Sequence, residues 1–451
     1  MSSYNNIIKK MPNQIKKIYY DLVPFEKRYG HEFIKTYDFL MQSKEWDTSK
    51  LLEYQNIELM KLLEHSYNNV PYYKHLFDSH AITLKSIQNI NDLKVIPLLT
   101  KELIRDNLND LKAKNLLNKK VYEFKTSGST GNKLVFYGLD EVYKKEAAFI
   151  LRAYRMHGAT LYDKPSVWLR RFVPKTEGDP LWYYDYELKR LYMSAYHMNP
   201  QTIKNYIDEI NLKNYHTLVA YPSSAYILAC LCEEQNLKLK TIRKIHVTSE
   251  TMLDQWRDKI EKVFGVVPVA HYGAIEKVSF MHQLEDSTKY YNNLEYGVTE
   301  FIENNNEHEI VATGFLNYYM PFIRYKTEDT VQINDKITSN RLPDDVLNIY
   351  GRTSDILISK NNSRLPGVNF YSWIDKSVSG VKMFQIIQNS RENIVFNFIA
   401  SDKYTDNTIN DIKSGLLARL GDLNFEINKV SEIKRNENSS KIRCIVNLIQ
   451  N

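Results

Sequence analysis

KTSGSTGNKLVFY, residues Lys125–Tyr137, places small hydroxyl and glycine residues between two apolar runs. VYEF (Val121–Phe124) reads as a strand before it and KLVFY (Lys133–Tyr137) as a strand after it. Gly128 and Gly131 let main-chain N–H groups approach a ligand, and Thr126, Ser127, Ser129 and Thr130 add hydroxyl donors. Such a loop suits the oxygens of a polyphosphate. It is not a Walker loop, which needs a Gly-Lys pair followed by Ser or Thr and then a helix. Here Leu134 follows Lys133, and the flanks are strands. On its own the stretch also reads as a Ser/Gly-rich surface hairpin.

Working outward, residues 1–118 read as mostly helical. NIELMKLLEHSYNNVPYYKHLF repeats apolar positions at helical spacing and breaks at Asn69-Val70-Pro71. An extended piece through Pro97 precedes a helix that Thr100 can cap. Beyond the loop, Asp140 can cap a helix that Gly158 stops. VWLRRF, TLVAYP (Thr217–Pro222), KIHVTSE (Lys244–Glu250) and VVPVAHYG (Val266–Gly273) read as strands alternating with helices such as TMLDQWRDKIEKVFG. That alternation predicts α/β layers with a largely parallel sheet. Ligands in such sheets sit beyond the C-terminal strand ends, where the TSE and HYG segments fall.

After about residue 285 the segments become β-rich, and from Arg352 a β-β-α-β pattern begins that can fold by itself. The fold class expected is α/β: a large N-terminal domain, 1–351, of layered sheets and helices, followed by a small α+β domain, 352–451. The large domain divides into a helical start (1–118), an α/β core (119–285) and a β-rich part (286–351).

The net charge of +6 is carried by scattered lysines, which does not imply nucleic acid. Cys230, Cys232 and Cys444 form neither metal-ligand spacing nor a disulfide framework, so a reduced, cytoplasmic setting is expected. No apolar run reaches membrane-span length. The N-terminal MSSYNNIIKKMPNQIKKIYY has no signal-peptide core. Its basic, partly apolar character fits a membrane-surface contact or a solvated first helix, and the latter is the expectation.

Four further stretches carry chemistry. HYGAIEKV (271–278) sets Tyr272 beside Gly273 and Glu276 three residues on; an aromatic face stacks on a base, and a carboxylate near phosphates holds Mg²⁺. MPFIRYKTEDTV (320–331) brings Arg324 and Asp329 onto a ribbon, where an aspartate can accept ribose hydroxyls or the pair can simply bridge strands. YGRTSDILIS (350–359) carries Arg352 and Asp355 where the pattern changes, and NENSSKIRCIV (436–446) carries Lys441. Singly, each also reads as an ordinary surface feature.

In this order and spacing the stretches resemble the adenylate-forming superfamily. Within it the chain is most similar to the phenylacetate–coenzyme A ligase-like family and its bacterial capsular-polysaccharide-biosynthesis branch. The VPYY and DLKVIPLLTK signatures belong to that family in particular. The resemblance implies that Thr126–Lys133 (Thr126, Ser127, Gly128, Ser129, Thr130, Gly131 and Lys133) holds the ATP β- and γ-phosphates. It implies that Ser249, Glu250 and Gly273 line the nucleotide pocket, Tyr272 packs on adenine and Glu276 ligates Mg²⁺. Asp329 would accept the ribose hydroxyls with Arg352 close by. Asp355 would be the hinge of a mobile small domain whose Lys441 reaches into the site. Tyr221, Pro222, Ser223 and His271 would face the acyl group.

The implied reaction joins a carboxylic acid to AMP, releases pyrophosphate, and passes the acyl group to the thiol of coenzyme A or to an amine, in surface or capsular polysaccharide or related biosynthesis. ATP and Mg²⁺ are implied, with coenzyme A as one of two acceptors left open, as is the choice between monomer and homodimer. Two departures stand out. Thr-Gly-Asp becomes Thr327-Glu328-Asp329, and the loop after GRTSDILIS reads KNNSRLPG (360–367), with Asn361 and Asn362 where a glycine is usual. Asparagine tolerates left-handed backbone, so the turn itself can survive. The alternative is a nucleotide-binding scaffold of the same fold with reduced catalysis.

Overall fold

A computed structural model describes residues 11–125, 134–159, 161–162, 164–170, 180–249, 252, 254–284, 287–304, 307–333, 346–350, 356–366, 370, 373–374, 377–401, 403–433 and 445–449. The chain opens with helices α1 (Asn13–Leu22), α2 (Phe25–Tyr29), α3 (His31–Ser43), α4 (Thr48–Asn69), α5 (Pro71–Ser79) and α6 (Lys101–Asp106). Asp47 caps α4 by accepting from Lys50 N at 2.8 Å. Proline cannot continue a helix but suits its first position, so α4 ends before Val70 and Pro71 opens α5. Thr100 caps α6 as expected, its Oγ1 accepting from Leu103 N at 3.3 Å.

β1 (Val121–Lys125) and β2 (Val135–Leu139) form an antiparallel ribbon with Lys125 opposite Val135, so the two flanks of the opening stretch pair with each other. α7 (Asp140–Met156) follows directly. Asp140 is its first residue rather than its cap: Leu139 occupies the cap position, and the Asp140 carboxylate pairs with Lys144 at 2.5 Å. Gly158 ends the turn at φ +71, as its sequence position suggested.

The main sheet has twelve strands among the described residues. Its α/β half contains β3 (Ser166–Arg170), β4 (Trp182–Asp185), β5 (Arg190–Ser194), β6 (Thr217–Ala220), β7 (Lys244–Thr248) and β8 (Pro268–Gly273). Helices α8 (Ile203–Leu212), α9 (Pro222–Glu234) and α10 (Asp254–Phe264) alternate with the later strands. The other half contains β9 (Phe280–Gln283), β10 (Tyr290–Asn292), β11 (Gly297–Asn304), β12 (Glu307–Gly314), β13 (Tyr325–Ile333) and β14 (Val346–Tyr350). The order is β11-β12-β13-β14-β10-β9-β8-β7-β6-β3-β5-β4. Strands β5, β3, β6, β7 and β8 run parallel, as predicted for the middle of the chain. From β8 onward the pairing is antiparallel, so the β-rich part extends the same sheet.

A second, four-stranded sheet has the order β19-β18-β17-β20, built from β17 (Val381–Gln388), β18 (Asn393–Ala400), β19 (Asn424–Lys429) and β20 (Ile445–Asn447). Helix α11 (Asp406–Leu420) covers it, and a ribbon of β15 (Ile356–Ile358) and β16 (Arg364–Pro366) lies alongside. The buried side chains form two clusters. One runs from Phe25 to Ile349; the other, from Leu357 to Ile445, is centred on Ile386, Phe396, Phe398 and Leu416. No helix of the described residues is long and apolar enough to cross a membrane.

Candidate active site

Strand register assembles the site. Ala220 pairs with Val247, and Thr248 with His271. The residues that follow β6, β7 and β8 therefore emerge side by side at the C-terminal edge of the parallel half. Tyr221 and Pro222 open α9 there, Ser249 follows β7, and Tyr272-Gly273 closes β8. Successive side chains on a strand point to opposite faces. His271 accordingly lies on the α7 side, its ring 5.5 Å from Tyr154 and 5.6 Å from Phe280, while Tyr272 faces the other way.

Tyr272 Oη donates to Asp329 Oδ2 at 2.8 Å, although 57 positions separate the two residues. Burial, then the Asp329 charge, push the Tyr272 phenol well above its ordinary pKa, so it stays protonated and acts as a donor. Beside it, Tyr325 Oη donates to Glu276 Oε1 at 2.7 Å. Glu276 Oε2 has no hydrogen-bond partner recorded among the described residues. The two carboxylates expected at the nucleotide are thus each held by a tyrosine. β13 supplies Asp329 and Tyr325, while β8 and the turn after it supply Tyr272 and Glu276.

The N-terminal signature is tied to the same place. Leu99 bridges to Tyr325, with Leu99 N donating to Arg324 O at 3.0 Å and Lys326 N to Leu99 O at 2.9 Å. Two residues on, Lys101 Nζ meets Glu328 Oε2. Arg324 takes the structural alternative. Its guanidinium binds both oxygens of Glu300 at 3.0 Å, donates to Lys94 O and Ile96 O, and is buried. It pins the start of β13 to β11 and to the Lys94–Ile96 segment before α6.

Backbone strain concentrates here. Ser249 (φ +73), Lys277 (+61), Arg324 (+51) and Glu328 (+68) all occupy the left-handed region without being glycine. Such residues persist where surrounding structure over-determines them, often at functional sites. Asp329 N donates to Thr327 Oγ1 at 3.1 Å, and Thr327 Oγ1 donates to Ile310 O at 2.9 Å, which holds the Thr-Glu-Asp kink from beneath. Glu328 therefore adopts the backbone that glycine would adopt. Asn362 lies at φ +60 with its N–H on Ser359 O at 2.9 Å, so the KNNS turn forms as its asparagines allow.

Close approach also matters at Gly314, where an added Cβ would sit 2.3 Å from Lys277 O, so the glycine lets the turn carrying Glu276 pack on β12. Lys277 itself is buried and pairs with Glu146 of α7 at 2.7 Å. Behind His271 stand three more histidines. His282 is its register partner, and the rings of His246 and His157 are 5.5 Å apart. All three are buried. Burial first, and the neighbouring histidines among further causes, depress His246 and His282 well below the ordinary imidazole value. His271 was read from the sequence; the histidines behind it were not, although the period-2 alternation of β7 and β9 puts His246 and His282 on its face. Lys101 and Tyr325 were also missed as site residues, although they lie within the DLKVIPLLTK and MPFIRYKTEDTV stretches.

Thr126–Lys133, Glu250, Arg352, Asp355 and Lys441 lie outside the described residues, as does the side chain of Ser223.

Residues 357–448 match the CapK C-terminal domain family. Over 412 residues the chain is 28% identical to Protein CapK of Staphylococcus aureus, covering 89% of this chain and 90% of that one. A shorter stretch of 121 residues is 27% identical to phenylacetate-coenzyme A ligase of Escherichia coli (strain K12), 26% of this chain and 28% of that one. Among solved structures, 2-hydroxyisobutyryl-CoA ligase with 2-HIB-AMP and CoA in the thioesterification state aligns with TM-score 0.56 at 14% identity, over 89% of this chain and 90% of that one. Its open conformation aligns with TM-score 0.51 at 13% identity, over 86% and 90%. The fold is that of the acyl-CoA ligases. The chain is similar to Protein CapK over most of its length, and these findings support the adenylate-forming resemblance, toward the capsular-polysaccharide branch, that the sequence carries.

Proposed function

We propose that the protein is an ATP-dependent, AMP-forming ligase that activates a carboxylic acid as its acyl-adenylate and then transfers the acyl group to the thiol of coenzyme A or to an amine. The observation that carries this reading is the tyrosine-held pair, Tyr272–Asp329 beside Tyr325–Glu276, formed between the C-terminal end of β8, the turn after it and β13. Asp329 offers acceptors for ribose hydroxyls. Tyr272 gives an aromatic wall and orients that aspartate. The similarity to Protein CapK supports a place in surface or capsular polysaccharide biosynthesis.

A carboxylate oxygen of the acid attacks the α-phosphorus of ATP. The new C(O)O–P bond forms as the bond to the β-phosphate bridging oxygen breaks, and pyrophosphate leaves. The thiol or amine then attacks the acyl carbon, the C–O bond to AMP breaks, and the nucleophile's proton is lost to solvent. Charge rather than proton transfer dominates the first step, so donors and cations are the tools needed. Mg²⁺ fits the Glu276 side chain, whose Oε1 is fixed by Tyr325 while Oε2 has no hydrogen-bond partner among the described residues, and when bound it would offset phosphate charge. Thr126–Lys133 would grip the leaving pyrophosphate and Lys441 would stabilise the α-phosphate. Tyr221, Pro222 and His271 would line the acyl site, and Ser249, Glu250, Gly273 and Arg352 the nucleotide.

The small domain, 352–451, would swing about Asp355 to bring Lys441 in. Its separate hydrophobic cluster and the family match over 357–448 support treating it as its own unit. ATP–pyrophosphate exchange across a panel of carboxylic acids tests the first half-reaction. Exchange with one acid, lost in Lys441→Ala, is expected. Calorimetric binding of Mg·ATP without exchange for any acid would instead indicate a nucleotide-binding scaffold.

A further inference from the structure

Helix α1 is docked with its apolar side outward. At 3.6 residues per turn, Ile15, Ile18, Tyr19 and Leu22 share one arc of about 100°. Ile15 is 48% exposed, Ile18 60% and Leu22 76%, whereas Tyr20, on the opposite side, is 5% exposed. Tyr20 and Asp21 fasten the helix to the body: the Arg28 guanidinium lies 4.8 Å from the Tyr20 ring, and Asp21 pairs with Lys189 at 3.2 Å. A helix packed by water alone would bury its isoleucines and expose its polar side. This one is held the other way by specific polar contacts, which leaves a stripe of three large aliphatic side chains for another surface.

Charge indicates which surface. Asp21 is the only acid of the helix and is neutralised by Lys189. Lys16 lies beyond the Tyr19 edge of the apolar arc, exposed Lys17 lies with Tyr20 on the far side of the helix, and exposed Lys27 follows in α2; among the described residues none of the three enters an ion pair. A contact between two copies would bring two net-positive helices together, which repels. An anionic, apolar-cored surface satisfies both features at once. We infer that α1 is a peripheral docking helix for an anionic lipid bilayer, inserting Ile15, Ile18 and Leu22 at the acyl boundary while the positive charge of Lys16 and Lys17, on its polar side, attracts it to the anionic surface. Binding through one short helix is reversible and salt-sensitive, so the protein would sample the membrane surface rather than reside in it.

Flotation of the full-length protein with vesicles tests this. Co-flotation with phosphatidylglycerol-containing vesicles, weak flotation with pure phosphatidylcholine, and release by high salt are expected. Ile15→Gln/Ile18→Gln/Leu22→Gln and Lys16→Glu/Lys17→Glu should each lower the partition coefficient by about tenfold or more. Ile15, Ile18, Leu22 and Lys17 are exposed and Lys16 is half-buried, so the unfolding midpoint should change little, and Ile18→Gln alone provides a milder variant. No flotation of the parent protein at low salt would overturn the inference. So would light scattering that shows a dimer abolished by the triple glutamine variant.

Discussion

Lys101 Nζ lies 2.6 Å from Glu328 Oε2, closing an ion pair across 227 positions of the chain. Lys101 is the first residue of a helix capped by Thr100, and Glu328 is a strand residue in left-handed conformation immediately before Asp329. The pair holds in place a backbone shape that a carboxylate-bearing residue would otherwise resist.

Two substitutions separate charge from strain. Glu328→Gln keeps the left-handed backbone and loses a half-exposed pair, so it should cost about 0.5–1 kcal/mol. Glu328→Gly loses the pair too but releases a left-handed penalty of about 1 kcal/mol, leaving stability close to the parent's. Urea unfolding ranks them, and a glycine variant less stable than the glutamine variant would refute the strain argument.

Tyr272→Phe retains the ring and deletes the donor to Asp329. A hydrogen bond to a charged acceptor contributes about 1.5–3 kcal/mol, so KM for ATP in pyrophosphate exchange should rise roughly tenfold or more, with a smaller change in kcat. An unchanged KM would separate Asp329 from the nucleotide.

Arg324 and Glu300 form a buried bidentate pair beneath the β13 kink. Arg324→Ala strands Glu300 and should cost about 3–5 kcal/mol. Arg324→Met with Glu300→Leu removes both charges and should recover most of that loss. The measurement is the denaturant midpoint of the two variants, and equal losses would contradict a pairing role.

Acid should destabilise the protein through its histidines. His246 and His282 have folded pKa values well below the unfolded 6.5, so above 6.5 both states are neutral and their contribution is intact. As pH falls below 6.5 the unfolded chain takes up protons that the folded core refuses, and stability drops by up to about 1.4 kcal/mol per pH unit for each histidine. His65 and His197 are shifted in the same direction, whereas Glu295, also depressed, matters only below 4.5. Unfolding free energies measured between about pH 5 and 7.5 should fall toward acid, and His246→Phe should flatten the slope by about one proton.

Local pattern carried much of the architecture. The parallel run β6-β7-β8 was legible because each strand is a short apolar stretch and helices follow β6 and β7. The ribbon around Lys125–Tyr137 was legible from β-rich flanks on a glycine loop. The positions of Tyr272, Glu276 and Asp329 were legible from their resemblance to a known order of motifs. The continuity of the sheet past β8 was not, because antiparallel and parallel neighbours look alike in one strand's composition. Nor were Tyr325–Glu276 and Lys101–Glu328, where each partner is an ordinary polar residue until register and the docking of Leu99 on Tyr325 bring the two together. Asp140 was misplaced by one position because acids serve both as caps and in the first turn.

Gln388 is buried at the end of β17, and its amide takes both backbone groups of Ile358: Ile358 N donates to its Oε1 and its Nε2 donates to Ile358 O, each at 2.7 Å. The clamp works as a rivet. It fastens the β15–β16 ribbon to the smaller sheet, so if that unit rotates as proposed, Ile358 would travel with it. The proposed pivot would then lie upstream of the rivet, and a single glutamine side chain would set the length of its lever arm.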